Sequence, residues 1–153
     1  MEHTYFFQTT VWRASGTYYD AEGRSFLLMG EVQVRRTASE WTLAGTLTVR
    51  SDPPVQFSNS YRIARTETPD TLCWESYNPA LGTLRGTFEI VGPCIVSIYR
   101  STEDGYSGTE TLRQLDGQTY ENVGVSFRNG RRISSWTARI HREEAETIGL
   151  PMD

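Results

Sequence analysis

The sequence predicts an all-β fold: a single antiparallel up-and-down barrel of about eight to ten strands, with little helix. Three observations carry this. Turn-forming groups recur about every eight to twelve residues along the 153-residue chain. The segments between them are rich in Thr, Val, Ile, Tyr, Phe and Trp, and several alternate apolar with polar positions. Gly16, Gly30, Gly45, Gly86, Gly108 and Gly124 fall inside those segments, where a curved strand needs a bend or a close approach.

The turns read AEGR (21–24), TASE (37–40), SDPP (51–54), ETPD (67–70), NPALG (78–82), VGP (91–93), TEDG (102–105), LDGQ (115–118) and RNGR (128–131), leaving ten segments. In the first, Trp12, Ala14, Gly16 and Tyr18 share a face opposite Arg13, Ser15 and Thr17. Gly16 is expected to let this strand bend, with Trp12 closing one end of the barrel. The second places Phe26, Leu28, Gly30, Val32 and Val34 together, and the third Trp41, Leu43, Gly45, Leu47 and Val49. Phe57, Asn59, Tyr61 and Ile63 share a face of the fourth, and Leu72, Trp74 and Ser76 a face of the fifth. Leu84, Gly86, Phe88 and Ile90 follow in the sixth, Gly108, Glu110 and Leu112 in the eighth, and Trp136, Ala138 and Ile140 in the last. Period-two alternation marks a sheet with one buried face, as antiparallel sheets have.

Helical candidates are confined to the ends: one turn over Glu2–Gln8 and a turn or two over His141–Leu150. Parallel strands need crossover helices, and none stands between the segments. Closing a ten-segment meander removes its two exposed edges. A two-sheet sandwich is the rival. The chain reads as one domain, 1–153, with a short lead (1–10) and a tail (143–153).

Acidic residues number 19 and basic residues 15, for a net charge of -4. That balance gives no broad positive field, so no nucleic-acid partner is expected. No apolar run approaches the ~20 residues of a membrane span, so no membrane insertion is expected. The first residues lack a signal-peptide pattern, which makes the cytoplasm the expected location. Every basic residue is Arg. A Lys nucleophile, a Schiff base and a phosphate-binding lysine are thereby excluded. Arg35, Arg62, Arg85, Arg113 and Arg139 fall on outward faces. Cys73 and Cys94 have no CxxC spacing or neighbouring His, which argues against a metal site. Reduced thiols are expected, with pairing left open because both fall on what read as neighbouring segments.

The aromatic lead YFF, the early Trp12 and the Gly-rich meander resemble the calycin group, meaning lipocalins, fatty-acid-binding proteins and their relatives. Thr10 stands where lipocalins carry Gly, and AEGR stands where fatty-acid-binding proteins insert a helix pair. Ten strands without that pair are more similar to the haem-binding nitrobindin type or to the phycobilin chromophore lyases. The stretch FFQTTVWRASGTYY loosely resembles the start of the lyases. The resemblance implies a barrel that holds a small ligand.

The residues that alternation turns inward are the candidates for such a site: Tyr18, Asn59, Tyr61, Ser76 and Glu110. Convergent polar groups in an apolar cavity orient a ligand. The competing reading has Asn59, Tyr61 and Ser76 satisfying one another in a filled core. Glu110 points inward unless a bulge at Gly108 turns it out. Buried and unpaired, its pKa would rise. Trp12, Trp74 and Trp136 either fill the core with Trp41 or wall a site for a flat ligand. A Ser-His-Asp arrangement or a haem ligand would need His141, which parity places outside. HEXXH, GXSXG, P-loop and Rossmann patterns are absent. The sequence thus predicts non-enzymatic binding or carriage of a small apolar or amphipathic molecule, with no cofactor. Ligand contacts are expected from Trp12, Tyr18, Asn59, Tyr61, Trp74, Ser76, Glu110 and Trp136. Two alternatives stand beside it. One is enzyme-like use of the cavity, as in a bilin lyase or an isomerase, with Glu110 as acid or base. The other is a filled barrel acting through its surface, for example as a homodimer.

Overall fold

A computed structural model describes residues 1–143 of the chain. Ten strands follow one another: β1 (Thr10–Tyr19), β2 (Ser25–Arg36), β3 (Trp41–Val49), β4 (Val55–Arg65), β5 (Thr71–Asn78), β6 (Gly82–Val91), β7 (Cys94–Ser101), β8 (Tyr106–Asp116), β9 (Thr119–Arg128) and β10 (Arg131–Arg142). Each pairs antiparallel with its neighbours in sequence, and β10 closes on β1 with Trp12 opposite Arg142 and Tyr18 opposite Trp136. Closure pairs both strands that would otherwise be edges. The barrel is the predicted one, and the sandwich is excluded.

The turns form for local reasons. Asn129 and Gly130 take φ of 50° and 80°, the left-handed pair that a two-residue hairpin between twisted strands requires. Asp20 holds the β1–β2 turn, where its Oδ1 accepts from the amides of Glu22 (3.0 Å) and Arg24 (2.9 Å).

The lead departs from expectation. Residues 2–8 form no helical turn; Tyr5–Phe7 make a non-helical turn that plugs one end of the barrel. Phe6 stands at φ 71°, a conformation that bulky residues rarely take, and is held there by burial against Phe88 (ring centroids 4.3 Å apart). Trp41 Nε1 donates to the Phe6 carbonyl (2.6 Å), Gln114 Nε2 to that of Glu2 (2.9 Å), and the His3 ring lies within 2.8 Å of the Tyr120 hydroxyl and 2.9 Å of the Gly92 carbonyl. These bonds tie the plug to β2–β3, β6–β7 and β8–β9, which is why local periodicity could not place it. At the other terminus, His141 and Arg142 extend β10, and the remainder of the expected helix lies outside the described residues.

Inside the barrel, large and small side chains alternate from β6 to β10 in one row and from β5 to β8 in the next. One row runs Phe88, Ser97, Glu110, Gly124, Trp136, Tyr18 across β6, β7, β8, β9, β10 and β1. The next runs Trp74, Gly86, Tyr99, Gly108, Ser126, Ser134 across β5 to β10. The Trp136 indole lies so close to Gly124 that a Cβ there would clash with its Cζ2; at Gly86 a Cβ would clash with the Ile98 carbonyl and meet the Trp74 indole at 2.8 Å. Gly16 marks a close approach of β1 to β10. The register of β1 with both neighbours is continuous through it, and a Cβ there would press into the Thr137 carbonyl of β10.

The outer face carries the five arginines expected there, all exposed. Arg85 pairs with Glu75 (2.8 Å) and Arg139 with Glu121 (3.2 Å) across strands, exposed pairs of small energetic weight. Cys73 on β5 and Cys94 on β7 are not on neighbouring strands. β6 lies between them, and both thiols are free.

If ring-over-glycine packing sets the inner rows, Gly124→Val costs about 1–3 kcal/mol through overpacking. Combined with Trp136→Leu, the loss is smaller than the sum of the singles by at least about 1 kcal/mol. Urea unfolding of the four-member cycle measures this, and additive losses would contradict it.

Candidate functional site

The alternating rows leave a cavity of about 290 Å³ within the barrel. It runs from the plug residues Tyr5 and Phe6 to Phe57, Tyr106 and Phe127 near the hairpins of the opposite end. Leu, Val, Ile and aromatic side chains supply most of its wall. On one side the rings of Tyr61 and Trp74 lie 4.8 Å apart between centroids, and Trp74 lies 5.7 Å from Phe88 and 5.9 Å from Tyr99. These are ordinary aromatic packing distances, so the rings brace one another as a continuous wall.

Glu110 projects from β8 into this space. Its cross-strand neighbours are Ser97 and Gly124, and the missing side chain at Gly124 leaves room for Trp136 to lean across from β10. Trp136 Nε1 donates to Asn122 Oδ1 (3.0 Å), and the side chains of Asn122 and Trp136 favour the Glu110 carboxylate. Burial outweighs them and raises the Glu110 pKa from the usual 4.5 to about 7. The titratable groups that face it from other elements are phenols. Tyr5 from the plug, Tyr61 from β4 and Tyr99 from β7 feel its charge, and burial together with that charge pushes their phenols up. Among the described residues lining the cavity there is no Arg, Lys or His. A carboxyl in such a site has no counter-ion of its own.

Six of the eight residues predicted for the site line the cavity: Tyr18, Asn59, Tyr61, Trp74, Glu110 and Trp136. Trp12 and Ser76 do not. Trp12 is 0% exposed beneath the plug, packed against Tyr5 (5.1 Å) and Tyr120 (5.6 Å). Ser76 is buried with no partner on its Oγ. The expected mutual bonding of Asn59, Tyr61 and Ser76 is not formed; Asn59 Oδ1 instead accepts from Asn78 Nδ2 (2.5 Å). Glu110 is inward because β8 keeps register with both neighbours through Gly108, and its irregularity comes later, between Gln114 and Asp116. Parity in CIVSIYRS and TYENVGVSF marks Tyr99 and Asn122 as inward, so these two were legible in the sequence though not singled out there. Tyr5 and Phe6 carried no periodic signal. His141 lies on the outer face, with Nδ1 3.4 Å from Thr119 Oγ1. No group of three or more potential metal ligands occurs among the described residues.

The fold is shared with solved structures. Rv2717c from M. tuberculosis superposes with a TM-score of 0.64 at 16% identity, over 94% of this chain and 100% of that one. The S-type phycobiliprotein lyase CPES from Guillardia theta gives 0.62 at 8% identity, over 90% of this chain and 89% of its own. At these identities the likeness is one of fold, a closed antiparallel β-barrel. No protein-family model matches the chain, and no curated protein matches it.

A raised carboxyl pKa has a sign in stability. Between pH 4.5 and about 7 the folded protein holds a proton that the unfolded chain has released, so stability falls as pH rises through that window. The loss is on the order of 3 kcal/mol. Glu110→Gln removes it. The variant should melt higher than the parent at about pH 8, with the gap closing toward pH 5. Calorimetry across that range is the check, and a gap independent of pH would refute the assignment.

Proposed function

We propose that the chain binds a small, largely apolar molecule in the barrel interior. The cavity itself carries this reading: largely apolar walls, aromatic rings on one side and a single carboxyl among the described residues that line it. Its volume lies at the small end of ligand pockets, which span roughly 300–1,000 Å³. That size suits a molecule of about two or three fused rings better than a large macrocycle. The plug seals one end, which leaves the hairpin end, bordered by Phe57, Tyr106 and Phe127, as the way in. Tyr18, Asn59, Tyr61, Trp74, Glu110 and Trp136 are the proposed ligand contacts.

A second reading uses the same cavity for chemistry on the bound molecule. The observation that favours it is a carboxyl with a pKa of about 7, able to give or take a proton near neutrality. The fold likeness to a phycobiliprotein lyase is compatible with it. Binding is common to both readings and is the simpler proposal.

Gly45 offers a clean test. It lines the cavity, and a Cβ there would make ordinary contact with Val32 at 3.6 Å and the Glu31 carbonyl at 3.7 Å. Gly45→Phe should therefore fill the cavity without breaking the fold. Quenching of intrinsic Trp fluorescence by the neutral probe naphthylmethanol should saturate in the parent and vanish in Gly45→Phe, with melting temperature retained. Quenching that is absent in the parent, or identical in the two proteins, would overturn a cavity ligand.

A further inference from the structure

Resting on the cavity reading above, we infer that the site selects ligands carrying a protonated nitrogen and rejects carboxylates, with Glu110 as the ion-pair partner and Tyr61, Trp74 and Tyr99 as an aromatic surround. Two independent observations support this. The first is charge. A cavity built for an organic anion places a cation in its wall, and none of the described residues lining this one is cationic. The nearby arginines are directed elsewhere. Arg36 and Arg65 stack on Trp41 at the plugged end, 4.2 Å and 5.8 Å from its ring, and Arg128 lies 5.1 Å from the Tyr106 ring at the other. An anionic ligand would meet Glu110 with no cation among the described lining residues to offset it.

The second is the aromatic wall. Rings present negative faces, so an ammonium or protonated ring nitrogen is favoured among Tyr61, Trp74 and Tyr99 where a carboxylate is not. Tyr99 is held in place by a hydroxyl bond to Ser126 (2.6 Å), and Tyr61 and Trp74 brace each other. The wall is therefore set before a ligand arrives. Asn122 stands beside Glu110 with its Oδ1 already taken by Trp136, leaving the carboxyl as the strong acceptor on that side. A ligand cation would also supply the counter-charge that Glu110 lacks, so binding and loss of the Glu110 proton are coupled. Affinity for a cation should then grow as pH rises through the Glu110 titration.

Three naphthalene probes of nearly equal shape test this: naphthylmethylamine, naphthylmethanol and naphthoate. They are titrated by Trp quenching against the parent and Glu110→Gln at about pH 6 and about pH 8. At the higher pH the amine should bind the parent at least about tenfold more tightly than the alcohol, and naphthoate at least about tenfold more weakly. Glu110→Gln should abolish the amine's advantage over the alcohol. The advantage should also shrink at the lower pH. If the alcohol binds but the amine gains nothing, or naphthoate matches it, the selectivity is refuted while the cavity reading stands. If none of the three binds, the cavity reading falls and this inference with it.

Discussion

Around the inside of the barrel, a ring on one strand lies over a glycine on the next. Trp136 covers Gly124 and Trp74 covers Gly86, and neither pair could form if the small partner carried a Cβ. This is the constraint on which the interior depends. Ten strands closed on themselves enclose more volume than aliphatic side chains of one size would fill evenly. Alternating large with small lets the indoles lie along the wall instead of meeting at the axis. The space kept along the axis is the cavity. The ring-over-glycine pairs are thus both the core of the fold and the walls of its site.

The same packing explains why one carboxyl can be tolerated there. Glu110 is reached by Trp136 only because Gly124 separates them. Asn122 and Trp136 soften its burial without neutralising it. The result is a group that lowers the stability of the fold near neutral pH. Stability given up at a carboxyl that lines the cavity supports the proposal that the interior is shaped for binding as well as for packing. The plug belongs to the same logic. Strain at Phe6 is offset by burial against Phe88 and by the bond from Trp41. Together these close one end, so that the interior communicates with solvent from the other.

Much of the barrel was legible in the chain because a strand's side chains alternate with a period of two and its turns carry their own chemistry. The RNGR turn, the inward faces of the long segments and the orientation of Glu110 follow from those local rules. Tyr99 and Asn122 obey them equally. What lay beyond them depended on contacts far apart in sequence. The plug is assembled from bonds between residues 2–6 and β3, the β6–β7 turn and β8, where an isolated YFF reads as a weak helix. Trp12 was legible as inward but not as lying beneath a lid, and Gly16 as special but not as the point where β1 presses on β10. Asn59 found Asn78, a partner outside the predicted set. The separation of Cys73 from Cys94 was legible too, since the sixth segment of the meander runs between the two that carry them.

The account rests on a lone carboxyl held in an apolar cavity inside a closed barrel. The most direct measurement of that is NMR titration of the protein labelled with carbon-13 at the glutamate side-chain carboxyls, with Glu110→Gln to assign the resonance. One carboxyl should titrate near pH 7, well separated from the exposed glutamates, and it should be the signal missing from the variant. If instead every glutamate titrates together in the ordinary range, Glu110 is solvated. The barrel then holds no site of the kind described.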